Sequence, residues 1–180
     1  MFYFSKVNTE PIEEYYPEFI TITCYEWKHV LMHDSYKDVI TDSLSFLVKE
    51  NRIKVHAFVI MSNKFQKIWH IQKGYKREAV QRDFLKFTAQ QVLKKARKEN
   101  GVILQGLLVD LKDRKFQVWQ RNSLSIELRN KSVYIQKLEY IHNNPIKAGL
   151  CVLSEEYKYS SAKFYELNIN DWKFLSHYDE

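Results

Sequence analysis

The segment "IKVHAFVIMSNKFQKIWHIQ", residues 53–72, limits the possible folds more than any other part of the chain. Its first nine residues form an apolar, β-branched run of the kind that makes a buried strand, and "SNK" is short enough only for a tight turn. "FQKIWHIQ" then reads as a second strand, and two strands joined this closely pair as an antiparallel hairpin. Upstream, "FITITCYEW" (19–27) is another strand, rich in β-branched and aromatic residues. Between it and the hairpin, "DSYKDVITDSLSFLVKEN" has helical spacing, with Asp34 as N-cap and Val39, Ser43, Phe46 and Leu47 on one face.

After Gly74, "REAVQRDFLKFTAQQVLKKARKEN" is the strongest helix pattern, with Val80, Phe84, Phe87, Thr88, Val92 and Ala96 as its apolar side and Gly101 as its stop. "GVILQGLLVDLKDRK" fits either a short helix or a strand with a loop. "KFQVWQ" reads as a strand, "SVYIQKLEYIHNN" as a helix stopped by Pro145, and Gly149 closes the turn that follows. "YKYSSAKFYELN" predicts one more short helix. The order β-α-β-β-α-β, followed by helices, is the α+β, ferredoxin-like plan: an antiparallel sheet with two helices on one face and additional C-terminal helices. The expected organisation is a single domain over residues 1–180, with an irregular extension at 1–18 and a tail at 167–180. The free face of the sheet, or its edge, is where function is expected.

Composition narrows the function classes. The 28 Lys and Arg against 22 Asp and Glu give a net charge of +6, which favours polyanionic partners because each neutralised phosphate releases counterions. The 12 tyrosines, 11 phenylalanines and 4 tryptophans supply rings that could stack on bases, although most rings belong in a core. Cys24 and Cys151, with no CxxC, suggest neither a disulfide framework nor a zinc knuckle. The acidic N-terminus, with Pro11 and Pro17, is unlike a signal peptide, and no apolar run approaches the ~20 residues that span a bilayer. The expected setting is cytoplasmic, with no membrane partner.

The candidate chemistry lies in "LEYIHNNPIKAGL". Tyr140 and Asn144 are four residues apart on a helix and share a face, so a phenol and a carboxamide could act together as nucleophile and ligand. The plainer reading of the same spacing is a buried tyrosine and an asparagine that ends the helix. Arg82, Lys86, Lys94 and Arg97 lie opposite the apolar side of the long helix, as a solvated face or a phosphate-facing stripe. Trp119 with Arg121 offers a stacking and charge pair.

The motifs "FVIMSN", "RDFLKFT", "FQVWQRN", "YIHNNPIKAGL" and "EEYKYSSA" occur in the order found in the IS200-like tyrosine transposases, and the chain resembles their REP-associated branch over residues 19–165. The resemblance implies a protein that binds DNA hairpins and cuts or joins single strands through a phosphotyrosine. Tyr140 matches the nucleophile and Asn144 the ligand one turn later. In that family a His-hydrophobic-His triplet on a central strand holds Mg²⁺ or Mn²⁺; here its place reads Lys64-Phe65-Gln66. Strand alternation puts Lys64 and Gln66 on one face, as two ligands would be. A protonated lysine has only donors, and two neutral amides make a poor Mg²⁺ site, so no bound cofactor is expected. His70, on the same face, is too far along the strand to substitute. Relatives also carry His-Pro before "IEL", where this chain has Leu124 and Ser125. Three readings follow: a DNA-binding protein with impaired metal-dependent cleavage, an active transposase or nickase using Tyr140, and an interaction protein without a nucleic-acid partner. Monomer and homodimer both stay open.

Overall fold

The computed structural model describes residues 14–99 and 101–179. In chain order its elements are β1 (Glu18–Thr23), α1 (Asp34–Lys49), β2 (Ile53–Ile60), β3 (Lys64–Ile71), α2 (Arg77–Glu99), α3 (Gly101–Gly106), β4 (Leu108–Leu111), β5 (Arg114–Phe116), β6 (Leu124–Glu127), α4 (Lys131–Lys147) and α5 (Ala162–Leu167). The main sheet runs β2-β3-β1-β6 with every neighbouring pair antiparallel, as the ferredoxin-like plan requires. Of the irregular extension expected at 1–18, residues 1–13 lie outside the described residues, and Glu18 already begins β1.

The last strand is not the expected one. In "KFQVWQ", Lys115 and Phe116 belong to β5, which pairs only with β4, and Trp119 meets the sheet through a single bridge to Cys24. After a turn at Asn122 (φ 62°), β6 becomes the fourth strand, and Leu128 N–H donates to Pro17 O at 2.8 Å just past its end. The ambiguous stretch before it uses both options in succession, α3 and then β4.

Helices α1 and α2 pack on one face of the sheet. Tyr36, Ile40, Leu44 and Leu47 of α1, and Val80, Phe84, Val92 and Ala96 of α2, bury against Ile20, Ile22, Phe58, Phe65 and Trp69. Asp34 is the first helical residue, not the cap, which is His33. Phe46 (55 % exposed) and Phe87 (51 % exposed) sit at the margins of these arcs and flank a groove between the helices. β3 also buries Lys67 on this side, with its Nζ 3.0 Å from the Trp69 ring centroid and 3.9 Å from that of Phe84.

The opposite face is not free. Helix α4 covers it: Tyr134, Leu138 and Ile141, spaced i, i+4, i+7, pack on Phe19, Ala57, Val59 and Ile68. A bulge between Val55 and Ala57 in β2 admits His56 as an extra residue, and its ring lies 6.2 Å from that of Tyr134. Nor does α4 stop at Pro145. It continues to Lys147 because proline loses only one intrahelical donor near the end, and a glycine cap then closes it. Gly149 (φ 68°) donates to Ile146 O at 2.9 Å and Leu150 to Pro145 O at 2.9 Å, the pairing of a Schellman motif.

The C-terminal residues complete the sheet. Ser160 bridges Val59 and Leu175 bridges Val55, so both contacts fall on the outer side of β2. Ser161 Oγ accepts from Phe58 N–H (3.0 Å) and donates to Phe58 O (3.2 Å), which leaves the His142 Nε2–H, at 2.9 Å, to donate to the same oxygen. The "YSS" motif is therefore a strand-edge seal, not part of a helix, and the stretch expected as a tail places Phe174 and Leu175 in the core. Among the described residues no helix is long and apolar enough to cross a membrane.

Candidate functional site

The site is built where α4 crosses β1 and β3. Pairing of Thr21 with Gln66 and of Thr23 with Lys64 puts these four residues on the α4 side of the sheet. Tyr140 lies over Phe19, with ring centroids 6.0 Å apart at 77°, and one turn later Asn144 reaches Gln66. Tyr140 is 39 % exposed, while Gln66 and Asn144 are buried. The structure thus joins Asn144, one turn after Tyr140, to Gln66, as the family resemblance implies for its ligand positions, with Lys64 next in line along β3.

The two amides share one hydrogen bond. Asn144 Nδ2 donates to Gln66 Oε1, and Gln66 Nε2 donates to Thr21 Oγ1 at 3.0 Å. The carbonyl oxygen of Gln66, the one atom that residue could offer a cation, is thus already engaged. Lys64 brings positive charge to the same face, and a protonated amine has no lone pair to give. Among the described residues no group of three or more His, Cys, Asp or Glu side chains gathers that could hold a metal. This donor set does not fit Mg²⁺ or Mn²⁺, which need oxygens of higher charge density. His70 does not help, since its Nε2 bonds Tyr15 O at 2.7 Å.

Two residues that the spacing could have revealed complete the surface. Lys137 and Lys147 are three before and seven after Tyr140, so Lys137, Tyr140, Asn144 and Lys147 form one stripe of α4. Lys137 Nζ lies 5.6 Å from the Tyr140 ring centroid and 5.2 Å from that of Phe19; Lys147 Nζ lies 5.7 Å from the Tyr140 ring centroid.

The other expected contacts are dispersed. Arg82, Lys86, Lys94 and Arg97 are exposed on α2, across the sheet from Tyr140. Arg82 pairs with Asp83 at 3.0 Å, and the Arg97 guanidinium lies 5.5 Å from the Phe116 ring. Trp119, expected as a stacking surface, is only 8 % exposed. Its Nε1–H donates to Leu85 O and Thr88 Oγ1, both at 3.1 Å, and its ring packs on Phe65, so it is a core residue. Arg121 remains exposed, 3.9 Å from Asp113. Leu124 and Ser125 lie in β6, where the Ser125 hydroxyl donates to Glu18, whose carboxylate also accepts the Trp69 indole N–H at 3.1 Å.

No protein-family model matches the chain. No curated protein matches it either. Among solved structures, it is similar to a REP-associated tyrosine transposase bound to a REP hairpin: TM-score 0.62, 16 % identity, over 87 % of this chain and 82 % of that one. A provisionally assigned transposase from Deinococcus radiodurans aligns at TM-score 0.47 with 14 % identity, over 78 % of this chain and 97 % of that one. The first likeness establishes a shared fold.

Proposed function

We propose that the chain is a DNA-binding protein of the IS200-like, REP-associated tyrosine transposase type, which takes hairpin DNA with an adjoining single strand and whose metal-dependent cleavage is impaired. The observation that carries this reading is the Gln66–Asn144 hydrogen bond, with the exposed Tyr140 one turn before Asn144 on α4. In this reading the contact joins the two positions that match ligands in the family, so that a neutral amide pair stands where they would hold an ion. Support for DNA as the partner comes from the order of the sequence motifs, the net charge of +6, and the fold shared with a transposase bound to a hairpin.

The α2 cations enter this reading as a second set of phosphate contacts. Arg77 at the start of α2 pairs with Glu127 of β6 at 2.6 Å, and Gln81 bonds Ser123 at 2.9 Å, so α2 runs beside the β6 edge. Phe19, under Tyr140, pairs with Ile126 of β6. DNA passing around that edge would meet Arg82 and Lys86 on one side and Tyr140 on the other.

The test uses a 5′-labelled hairpin with a single-stranded extension. The wild-type chain is expected to bind it at low salt and to form no covalent adduct with Mn²⁺ present, whereas the Lys64→His/Gln66→His pair gains Mn²⁺-dependent cleavage. A wild-type adduct that Tyr140→Phe removes would overturn the impairment and favour the active reading, for which the exposure of Tyr140 is the supporting observation. Absence of any DNA binding at low salt would point to the interaction protein instead.

A further inference from the structure

The stripe Lys137–Tyr140–Asn144–Lys147 has a property that a cation site would not have. Both lysines lean toward the Tyr140 ring, and among the described residues neither forms an ion pair with a carboxylate. Other exposed lysines of the described residues, such as Lys49, Lys73 and Lys173, also form no ion pair, so what sets these two apart is that both point at one exposed ring. Two unmatched ammonium groups flanking an exposed ring combine what single-stranded nucleic acid offers in return: phosphates for the charges and an unpaired base for the ring. Lys64 adds a third positive charge on the same face of the sheet, beyond Gln66.

We propose that Lys137 and Lys147 hold a phosphodiester of single-stranded DNA against Tyr140 without a metal ion, so that this face is an anion site. The proposal rests on the DNA-binding reading and adds the residues, the ligand group and the independence from metal. Phe19 backs the Tyr140 ring from below and fixes its tilt; Lys137 spans both rings.

The experiment measures fluorescence anisotropy of two labelled oligonucleotides, a blunt hairpin and the same hairpin with a single-stranded extension, in EDTA over a salt series. Wild type is expected to bind the extended hairpin more tightly. Lys137→Gln/Lys147→Gln should weaken the extended hairpin at least tenfold and leave the blunt one within about twofold. The salt slope should become shallower by roughly 0.7 for each single-strand phosphate that is no longer neutralised. Lys137→Arg/Lys147→Arg should keep wild-type affinity, and thermal melting should show all variants folded. If wild type binds and the glutamine pair matches it, or weakens both oligonucleotides equally, the anion site is wrong and the DNA-binding reading survives. Wild-type binding that appears only when Mn²⁺ replaces EDTA also overturns it. If wild type binds neither oligonucleotide, the reading itself fails and the site with it.

Discussion

Lys67 shows what a single side chain can cost this fold. Among the described residues its amine has no hydrogen-bond partner, it is fully buried against the rings of Trp69, Phe84 and Phe65, and Glu18 is the acidic group close enough to favour the charge. Desolvation outweighs Glu18 and holds the amine well below the ordinary lysine value. The unfolded chain therefore binds more protons than the folded one up to about pH 10.4, and stability should rise with pH toward that value. Lys67→Met keeps the bulk and removes the buried amine. It should stabilise the protein at neutral pH by roughly 1–3 kcal/mol and flatten this rise, as read from thermal melts at pH 7 and 9.5. No alternation rule marks Lys67 as special: it occupies a core-facing register in "FQKIWHI", and its isolation arises from three-dimensional packing that brings rings to it and no acceptor. Tyr140 with Asn144, and Lys64 with Gln66, are the opposite case: helical spacing and strand parity place each pair on one face, and only the family resemblance brings the two faces together.

At the scale of elements, α4 is mostly legible in the sequence and the end of the sheet is not. The i, i+3, i+4 periodicity of 134–147 encodes both a packed stripe and a functional one, and the proline obscures only the last turn. Gly149 performs the stop expected of Pro145. With φ at 68° it ends α4, so Gly149→Ala should lose roughly 1 kcal/mol and fray the turn that carries Lys147, measurable as a lower urea midpoint. β6 is hidden because four residues carry too little periodicity, while "KFQVWQ" has the composition of a strand and spends it on packing Trp119 beneath α2. The same burial explains why composition alone misplaces Trp119: an indole beside an arginine looks the same in sequence whether its N–H points to a helix carbonyl or to solvent.

Across the whole molecule, two histidines, His56 of β2 and His142 of α4, tie the C-terminal residues to the rest of the fold and set the response to acid. His56 meets Ser176 O at 3.3 Å and His142 meets Ser161, and burial pushes each imidazole down to about 4. Both are neutral in the fold, while in the unfolded chain they titrate near 6.5. The unfolded state thus takes up protons first, and stability falls as pH drops from about 6.5 toward 4, by roughly 3 kcal/mol for each histidine. Urea midpoints collected through that window should show the loss, and replacing His142 with asparagine should remove about half of it.

The bridges at Ser160 and Leu175 also fix a sequence of events in synthesis. Every strand of the main sheet has been made by Glu127, yet the outer margin of β2 receives its partners only from residues translated some 30–50 positions later. Until then a nascent chain on the ribosome presents a row of unmated amides and carbonyls, the feature through which polypeptides aggregate. Chaperones or slow local translation would matter most for this protein during that interval, after its sheet exists and before it is closed.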